Sequence, residues 1–232
     1  MRKGLLLLVF VVLGILMSCS QKTEEQNGFV EFTVEGQKCR MEHMRFIVRA
    51  NPIITDGERI KVIPKGEVLT YEFCIDATEA ESKRQLEIQG RNAKKYAEWK
   101  DGEPFPEQED LNSFLALWVA NTSNPEDILK SEITWQNQSL GLTHFGFVIN
   151  IPDSKHISCP ETHNCWLKID EITENRVKGR FGGHFEMDMA LSKEFQEKSR
   201  HGQQLKKEDM MREIDITDGV FNLPYKKCFK YR

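Results

Sequence analysis

The sequence predicts an all-β fold, an antiparallel β-sandwich or a partly open barrel with one or two short helices. The strongest indication is the stretch Val177–Leu191, in which every odd position is apolar or Gly and most even positions are polar. This period of two is typical of a long strand with one face on a core and the other in water. Shorter runs of the same kind are separated by turn pairs such as Asp56-Gly57 and Lys65-Gly66, which indicate further strands.

The first element of the chain, residues 1–18, has the composition of a signal peptide. Arg2 and Lys3 form a basic start, and Leu5–Leu16 is an apolar run interrupted only by Gly14. A membrane-spanning helix needs about 20 apolar residues, so this run is too short and export is predicted. The alternative is an anchor helix that is not cleaved.

The end of this segment, Leu16-Met17-Ser18-Cys19, resembles the lipobox of bacterial lipoproteins, which has a Leu three residues before Cys and a small residue directly before it. The resemblance implies that Cys19 becomes the first mature residue and carries a diacylglycerol and an acylated amine. The protein would then be held at the membrane through a lipid anchor at Cys19. Stable anchoring requires more than one lipid signal, and three acyl chains would exceed that requirement. An ordinary secretory cleavage, leaving Cys19 free or in a disulfide, is the alternative.

The residues that follow, 19–28, are predicted to form a flexible tether. Positions 20–28 contain no aromatic and no branched apolar residue, and such a composition cannot bury enough surface to offset its ordering entropy. Ser20 stands where some Gram-negative lipoproteins carry the Asp that keeps them in the inner membrane. The resemblance therefore implies an outer membrane lipoprotein, on either face of that membrane.

The mature chain is predicted to form one domain, residues 29–232. Removal of 18 residues from 232 leaves 214, which suits one large all-β domain, and neither a linker nor an internal repeat divides the sequence. The net charge of −4 becomes −6 when Arg2 and Lys3 are removed. This acidic balance argues against a nucleic-acid partner.

Several further strands are predicted before the long one. They are Phe29–Val34, Met44–Ala50, Ile60–Ile63, Val68–Ile75, Gln85–Gln89 and Phe145–Ile151. Residues 106–121 fit a helix and a strand equally well, because short apolar runs are compatible with both periods. A short helix is predicted at Pro125–Lys130, after the loop residues 121–124.

After the long strand, residues 192–209 are nearly all polar, and Ile214–Phe221 restores the β pattern with an Asp218-Gly219 pair that would bulge or turn the strand. The combination of 177–185 with 214–221 resembles the closing pair of strands in uncharacterised envelope lipoproteins with β-sandwich domains. Their function is generally unknown. The preferred expectation for this chain is a non-enzymatic binding or structural role without a cofactor, with an envelope protein or a glycan as the partner.

The segment from His156 to Cys165 contains four potential zinc ligands, which are His156, Cys159, His163 and Cys165. Exported proteins meet an oxidising compartment, so a Cys159–Cys165 disulfide is predicted in preference to a metal site. With Cys19 lipidated, Cys39, Cys74 and Cys228 are left over. One of these thiols must be free or intermolecular, and Cys39–Cys74 is the second pairing considered.

The polar face of the long strand presents His184, Glu186 and Asp188 on one side, with successive pairs about 6.6 Å apart. With a histidine from elsewhere, such as His144, they could form the site of a metal-dependent hydrolase. The alternative is the solvated face of an antiparallel sheet. Neither a nucleophile motif nor a Gly-rich phosphate loop accompanies them, so the non-enzymatic role is preferred.

The C-terminal segment Tyr225–Arg232 alternates basic and aromatic residues. It could contact acidic lipid headgroups. The alternative is an edge strand on which lysines prevent unwanted pairing.

Overall fold

The computed structural model describes residues 27–51, 53–56, 59–62, 70–100, 103, 106–122, 125–134, 136, 141–153, 155–160, 164–190, 192, 195, 198, 206 and 210–228. The predicted signal peptide and Cys19 lie outside these residues. The strands are β1 Gly28–Val34, β2 Gln37–Asn51, β3 Ile53–Asp56, β4 Arg59–Val62, β5 Thr70–Ala77, β6 Ser113–Asn121, β7 Glu132–Thr134, β8 Leu142–Ile151, β9 Lys155–Ser158, β10 Trp166–Ile172, β11 Arg176–Asp188 and β12 Met211–Cys228. The helices are α1 Glu79–Glu98 and α2 Pro125–Leu129. The predicted all-β class is confirmed.

The main sheet closes on itself as an eight-stranded antiparallel barrel. Each of β1, β2, β5, β6, β8, β9, β11 and β12 pairs with the next, and β12 returns to β1. Closure leaves these strands in one layer that curves round a single core. The barrel is therefore closed, and is neither the predicted sandwich of two stacked sheets nor the partly open barrel given as its alternative. Strands β10 and β7 extend the sheet beside β11, and β3 pairs with β4 in a separate hairpin.

Strands β9 and β10 together occupy one position in the barrel wall. The first half of β11 pairs with β10, and its last three residues, Glu186 to Asp188, pair with β9. The loop between Ser158 and Trp166 therefore interrupts what would otherwise be a single continuous strand.

The interior of the barrel is filled by large apolar side chains. On β11, Phe181, Phe185 and Met187 are buried, whereas Lys178 and Arg180 are exposed, so the face predicted from the period of two is confirmed. The fully buried aromatic residues are Phe32, Phe46, Phe73, Phe114, Trp118, Phe145, Phe147, Phe181, Phe185 and Phe221. Their rings meet at edge-to-face and stacked angles, as for Phe147 and Phe185 with centroids 5.4 Å apart, an arrangement that stabilises aromatic pairs beyond area burial alone.

The structure decides the segment that fitted both a helix and a strand, and it replaces one predicted strand by a helix. Residues 113–121 form strand β6 and alternate between buried and half-buried side chains, because β5 and β8 pair with both of its edges. The strand predicted at Gln85–Gln89 is wrong, since these residues lie inside the 20-residue helix α1. Thr78 caps that helix by accepting a hydrogen bond from the Glu81 N–H, which is the usual role of Thr at this position. The short helix predicted at Pro125–Lys130 is confirmed as α2.

The Asp218-Gly219 pair bulges β12 and does not turn it. Phe181 pairs with Gly219 and Gly183 pairs with Ile216, so two residues of β12 oppose one of β11. Asp218 accommodates the extra residue with a φ of 54°, a conformation that Asp tolerates better than most residues. Strand β12 then continues to Cys228.

The barrel has two distinct ends. We call the end at which β1 begins the proximal end, where the β6–β8 and β10–β11 connections also lie. Gly28 stands at this end between β2 and β12, and a Cβ there would overlap Met44 O and Pro224. Past Gly28, β12 pairs directly with β2 in parallel, with Tyr225 opposite Phe46. The described chain therefore enters the barrel through a gap that admits only glycine.

Candidate functional site

His184 lies on the outer face of the barrel between two carboxylates of the neighbouring strand. Its Nδ1 is 2.8 Å from Asp215 Oδ1, and its Nε2 is 3.3 Å from Glu213 Oε2. Hydrogen bonds to Asp215 and then to Glu213 raise the pKa of the imidazole above its ordinary value. All three side chains are well exposed to water, so this is a cross-strand ion cluster on a solvated sheet face.

The other members of the predicted hydrolase site are placed differently. Asp188 Oδ1 accepts a hydrogen bond from the Ala190 N–H at 2.8 Å. This oxygen therefore caps the main chain directly after β11. His144 lies on β8 near the proximal end, opposite Val119 of β6, and β9 separates β8 from β11. Within the described part of the chain, no group of three or more His, Cys, Asp or Glu residues is arranged to hold a metal ion.

A disulfide joins Cys159 to Cys165, with their Cα atoms 6.2 Å apart. It closes the loop that interrupts the barrel wall between β9 and β10. Cys165 is buried, and its Sγ lies 3.0 Å from the main-chain oxygen of His184. On the same loop, the Asn164 side chain accepts a hydrogen bond from Gln136 Nε2 at 2.9 Å. His163 lies outside the described residues. Sulfurs joined in a disulfide are not the thiolates that zinc requires.

We expect this disulfide to act as a local staple. Replacing both Cys159 and Cys165 by Ser should lower the free energy of unfolding by no more than about 2–3 kcal/mol, because closing so short a loop restrains little of the unfolded chain. The new hydroxyl at 165 would be close enough to donate to His184 O, which limits the cost of burying it.

Denaturation in urea, with the wild-type protein in the oxidised state as the reference, measures the change. Non-reducing peptide mapping establishes whether the bond is present in protein taken from the envelope. A loss well above this range, or free sulfurs at both positions, would contradict the prediction.

The Cys39–Cys74 pairing considered above is wrong, because both residues are free cysteines. Cys39 pairs with Phe32 of β1, whereas β5 meets β2 only from Met44 to Asn51. Burial, with nearby carboxylates adding to it, raises the pKa of the Cys74 thiol to about 12. Burial also raises the pKa of Cys39. Both thiols are therefore poor nucleophiles near neutral pH.

A cavity of about 330 Å³ opens at the proximal end of the barrel. Its apolar wall is formed by residues of β2, α2, β10 and β12, namely Val48, Pro125, Leu129, Ile172 and Tyr225. Its polar rim consists of Glu126, Lys130, Thr173 and Glu174. This volume and this mainly apolar lining are typical of sites for small ligands.

Sequence reasoning did not find this cavity, because its walls come from four segments that only closure of the barrel brings together. Its clearest signal was Tyr225, which the sequence placed in an edge strand. In the structure, Tyr225 is half-buried, and its ring centroid lies 5.7 Å from that of Phe46. Residues 225–228 pair with β2, and 229–232 lie outside the described residues.

Comparisons with known proteins do not assign a family, since no protein family, curated protein or solved structure matches this chain. Among the residues that the structure describes, neither helix is long and apolar enough to cross a membrane. Function is therefore inferred from the N-terminal residues and from the described surfaces of the barrel.

Proposed function

We propose that this protein is a lipid-anchored lipoprotein of the cell envelope, attached to the outer membrane, with a non-enzymatic binding or structural role. The proposal is supported by the lipobox-like residues Leu16-Met17-Ser18-Cys19 and by the short polar stretch that joins them to the barrel. The first described residue is Asn27 and β1 begins at Gly28. A lipid on Cys19 would therefore be joined to the barrel by a short polar tether.

The tether limits the distance of the barrel from the bilayer. Seven residues lie between Cys19 and Asn27, and the eight Cα-to-Cα steps that join the two span at most about 26–29 Å when fully extended. The proximal end carries the attachment point, so that end faces the membrane. The cavity at the proximal end then faces the membrane as well.

The outer face of the barrel is the second surface available to a partner. A groove with apolar and charged lining residues runs along β11 and β12 past Trp166, His184 and Asp218, and the Trp166 ring packs over Gly182 on the neighbouring strand. Aromatic and charged side chains together suit an envelope protein or a glycan as partner. We propose partners of these two classes for this face.

Lipidation at Cys19 is the testable centre of the proposal. A Cys19→Ser variant should lose all label from a metabolic fatty-acid probe and leave the membrane fraction or accumulate as the uncleaved precursor, because no thioether can form. Probe fluorescence on the protein and fractionation of the cells measure both effects. The matched control is Cys39→Ser, which removes a thiol of the mature chain and should retain the label. Persistent labelling of the Cys19→Ser protein would refute the proposal.

A further inference from the structure

We infer that the cavity at the proximal end binds one of the acyl chains that Cys19 of the same molecule carries. This inference rests on the lipid anchor proposed above.

The cavity and the start of the described chain share one structural element, the β10–β11 turn. Thr173 and Glu174 of this turn line the cavity. Arg176, at its other end, donates from its main-chain N to Thr173 Oγ1 at 3.1 Å and from its guanidinium to Asn27 O at 3.5 Å. One side chain therefore connects the cavity wall to Asn27, from which the tether leads to Cys19.

The tether is long enough to bring the lipid back to the cavity but cannot fill the cavity itself. Its reach of about 26–29 Å from Asn27 exceeds the length of the turn 173–176, which spans at most about 10–11 Å. Residues 20–26 contain only polar and charged side chains, which gain nothing from an apolar wall. Among the groups that precede Asn27, the acyl chains on Cys19 would be the first apolar ones.

Transfer of one acyl chain from the bilayer into the cavity has a small free-energy cost. A methylene group gains free energy on leaving water, and this gain is kept when the group moves from one apolar surrounding to another. Two chains would remain in the bilayer, which satisfies the requirement for stable anchoring. Because donor and cavity belong to one molecule, the effective concentration of the chain at the cavity is high.

The charges at the described part of the rim favour the anchor over a free fatty acid. Among the described lining residues, Glu126 and Glu174 are acidic and Lys130 is basic, so their net charge is negative. A free fatty acid would bring its carboxylate to Glu126 and Glu174, which costs free energy. The acyl chains of a lipidated cysteine end in uncharged ester or amide linkages. The rim thus accepts their ends without repulsion.

A second groove borders Asn27 and does not suit an acyl chain. It has a volume of about 590 Å³ and is lined by Phe29, Arg40, Glu42 and His43 among others. Arg40 lies over the Phe29 ring at 3.9 Å from its centroid and donates to Glu42. The apolar ring is therefore already covered by a cation that an acyl chain could not replace.

The experiment uses the full chain produced in cells that incorporate a photoactivatable fatty acid. Membranes are irradiated, and crosslinked peptides are mapped. We expect the probe on Cys19 to crosslink within the same molecule to α2 and to the segment around Tyr225. Ile172→Glu introduces a charge at the cavity wall, at a position that is 41% exposed and should tolerate it, and should abolish these crosslinks. The control Leu86→Glu, at a 66% exposed position on α1, should leave them unchanged.

The other possible results separate the acyl-chain inference from the proposed function. Probe present on Cys19, with crosslinks only to lipids or to the Phe29 groove, would refute the acyl-chain inference and leave the lipoprotein proposal intact. Crosslinks to α2 that persist in Cys19→Ser would identify a free fatty acid as the occupant, and crosslinks between two protein molecules would identify the anchor of a neighbour. Both results would also refute the inference. Absence of the probe from Cys19 in the wild-type protein would refute the proposed function itself.

Discussion

Replacing Phe185 by Ala is expected to lower the free energy of unfolding by about 3–5 kcal/mol, the usual cost of truncating a buried Phe. Phe185 is 0% exposed, on the inner face of β11, and its ring meets that of Phe147 edge to face. The barrel closes round this cluster, so the surrounding strands cannot move together to fill the cavity that the change would leave. Chemical denaturation followed by circular dichroism measures the effect.

The control for this change is the next residue along the strand. Glu186 is half-buried and alternates with the buried Phe185 and Met187, so its side chain lies on the outer face, and Glu186→Ala should alter the free energy of unfolding by less than about 0.5 kcal/mol. Equal shifts in the denaturation midpoints of the two variants would show that the assignment of faces on β11 is incorrect.

Replacing Gly183 by Ala is expected to be nearly as damaging, although it adds only one carbon atom. Gly183 has a φ of 125°, and a Cβ there would overlap Asn164 O and crowd Cys165. The conformation costs about 1–3 kcal/mol for a residue with a Cβ, and forcing the disulfide loop away costs about 1–3 kcal/mol more. The free energy of unfolding should therefore fall by roughly 2–6 kcal/mol.

The matched control is Gly90→Ala on helix α1, where a Cβ would meet nothing within 4 Å. This change should raise the free energy of unfolding by about 0.5–1 kcal/mol, because Ala is the better helix former. Both variants are compared by urea denaturation under oxidising conditions. A neutral Gly183→Ala variant would mean that the disulfide loop does not lie against β11.

The parts of the fold that were predictable from the sequence are those with strong local signals. The face assignment on β11 follows from a period of two that lasts because one side of the strand is buried throughout its length. The short helix α2 begins at Pro125 and continues with Glu126 and Asp127, and both residue types favour the first turn of a helix.

The parts that were not predictable depend on contacts between distant residues. Closure of the barrel pairs Phe29–Val34 with Ile216–Asn222, and nothing local distinguishes such a pair from the edges of a sandwich. Helix α1 was missed because Ile88 is its one buried apolar residue among those described, so it has hardly any apolar face to give a period of 3.6. The proximal cavity could not be found because its walls meet only after closure.

The position of β1 also determines how the protein responds to mechanical load. Force on a membrane tether would reach the barrel at Gly28 and pull β1 along its own axis, out of the slot between β2 and β12. Hydrogen bonds to both neighbours would then be loaded together in shear, and no pair at the end of the strand could open before the rest. The two neighbours are themselves joined beyond Gly28 by the parallel pairing of Tyr225–Cys228 with β2, which keeps the slot from widening. A barrel anchored in this way would be held through a strand that is hydrogen-bonded on both sides, and pulling should stretch the tether before it opens the barrel.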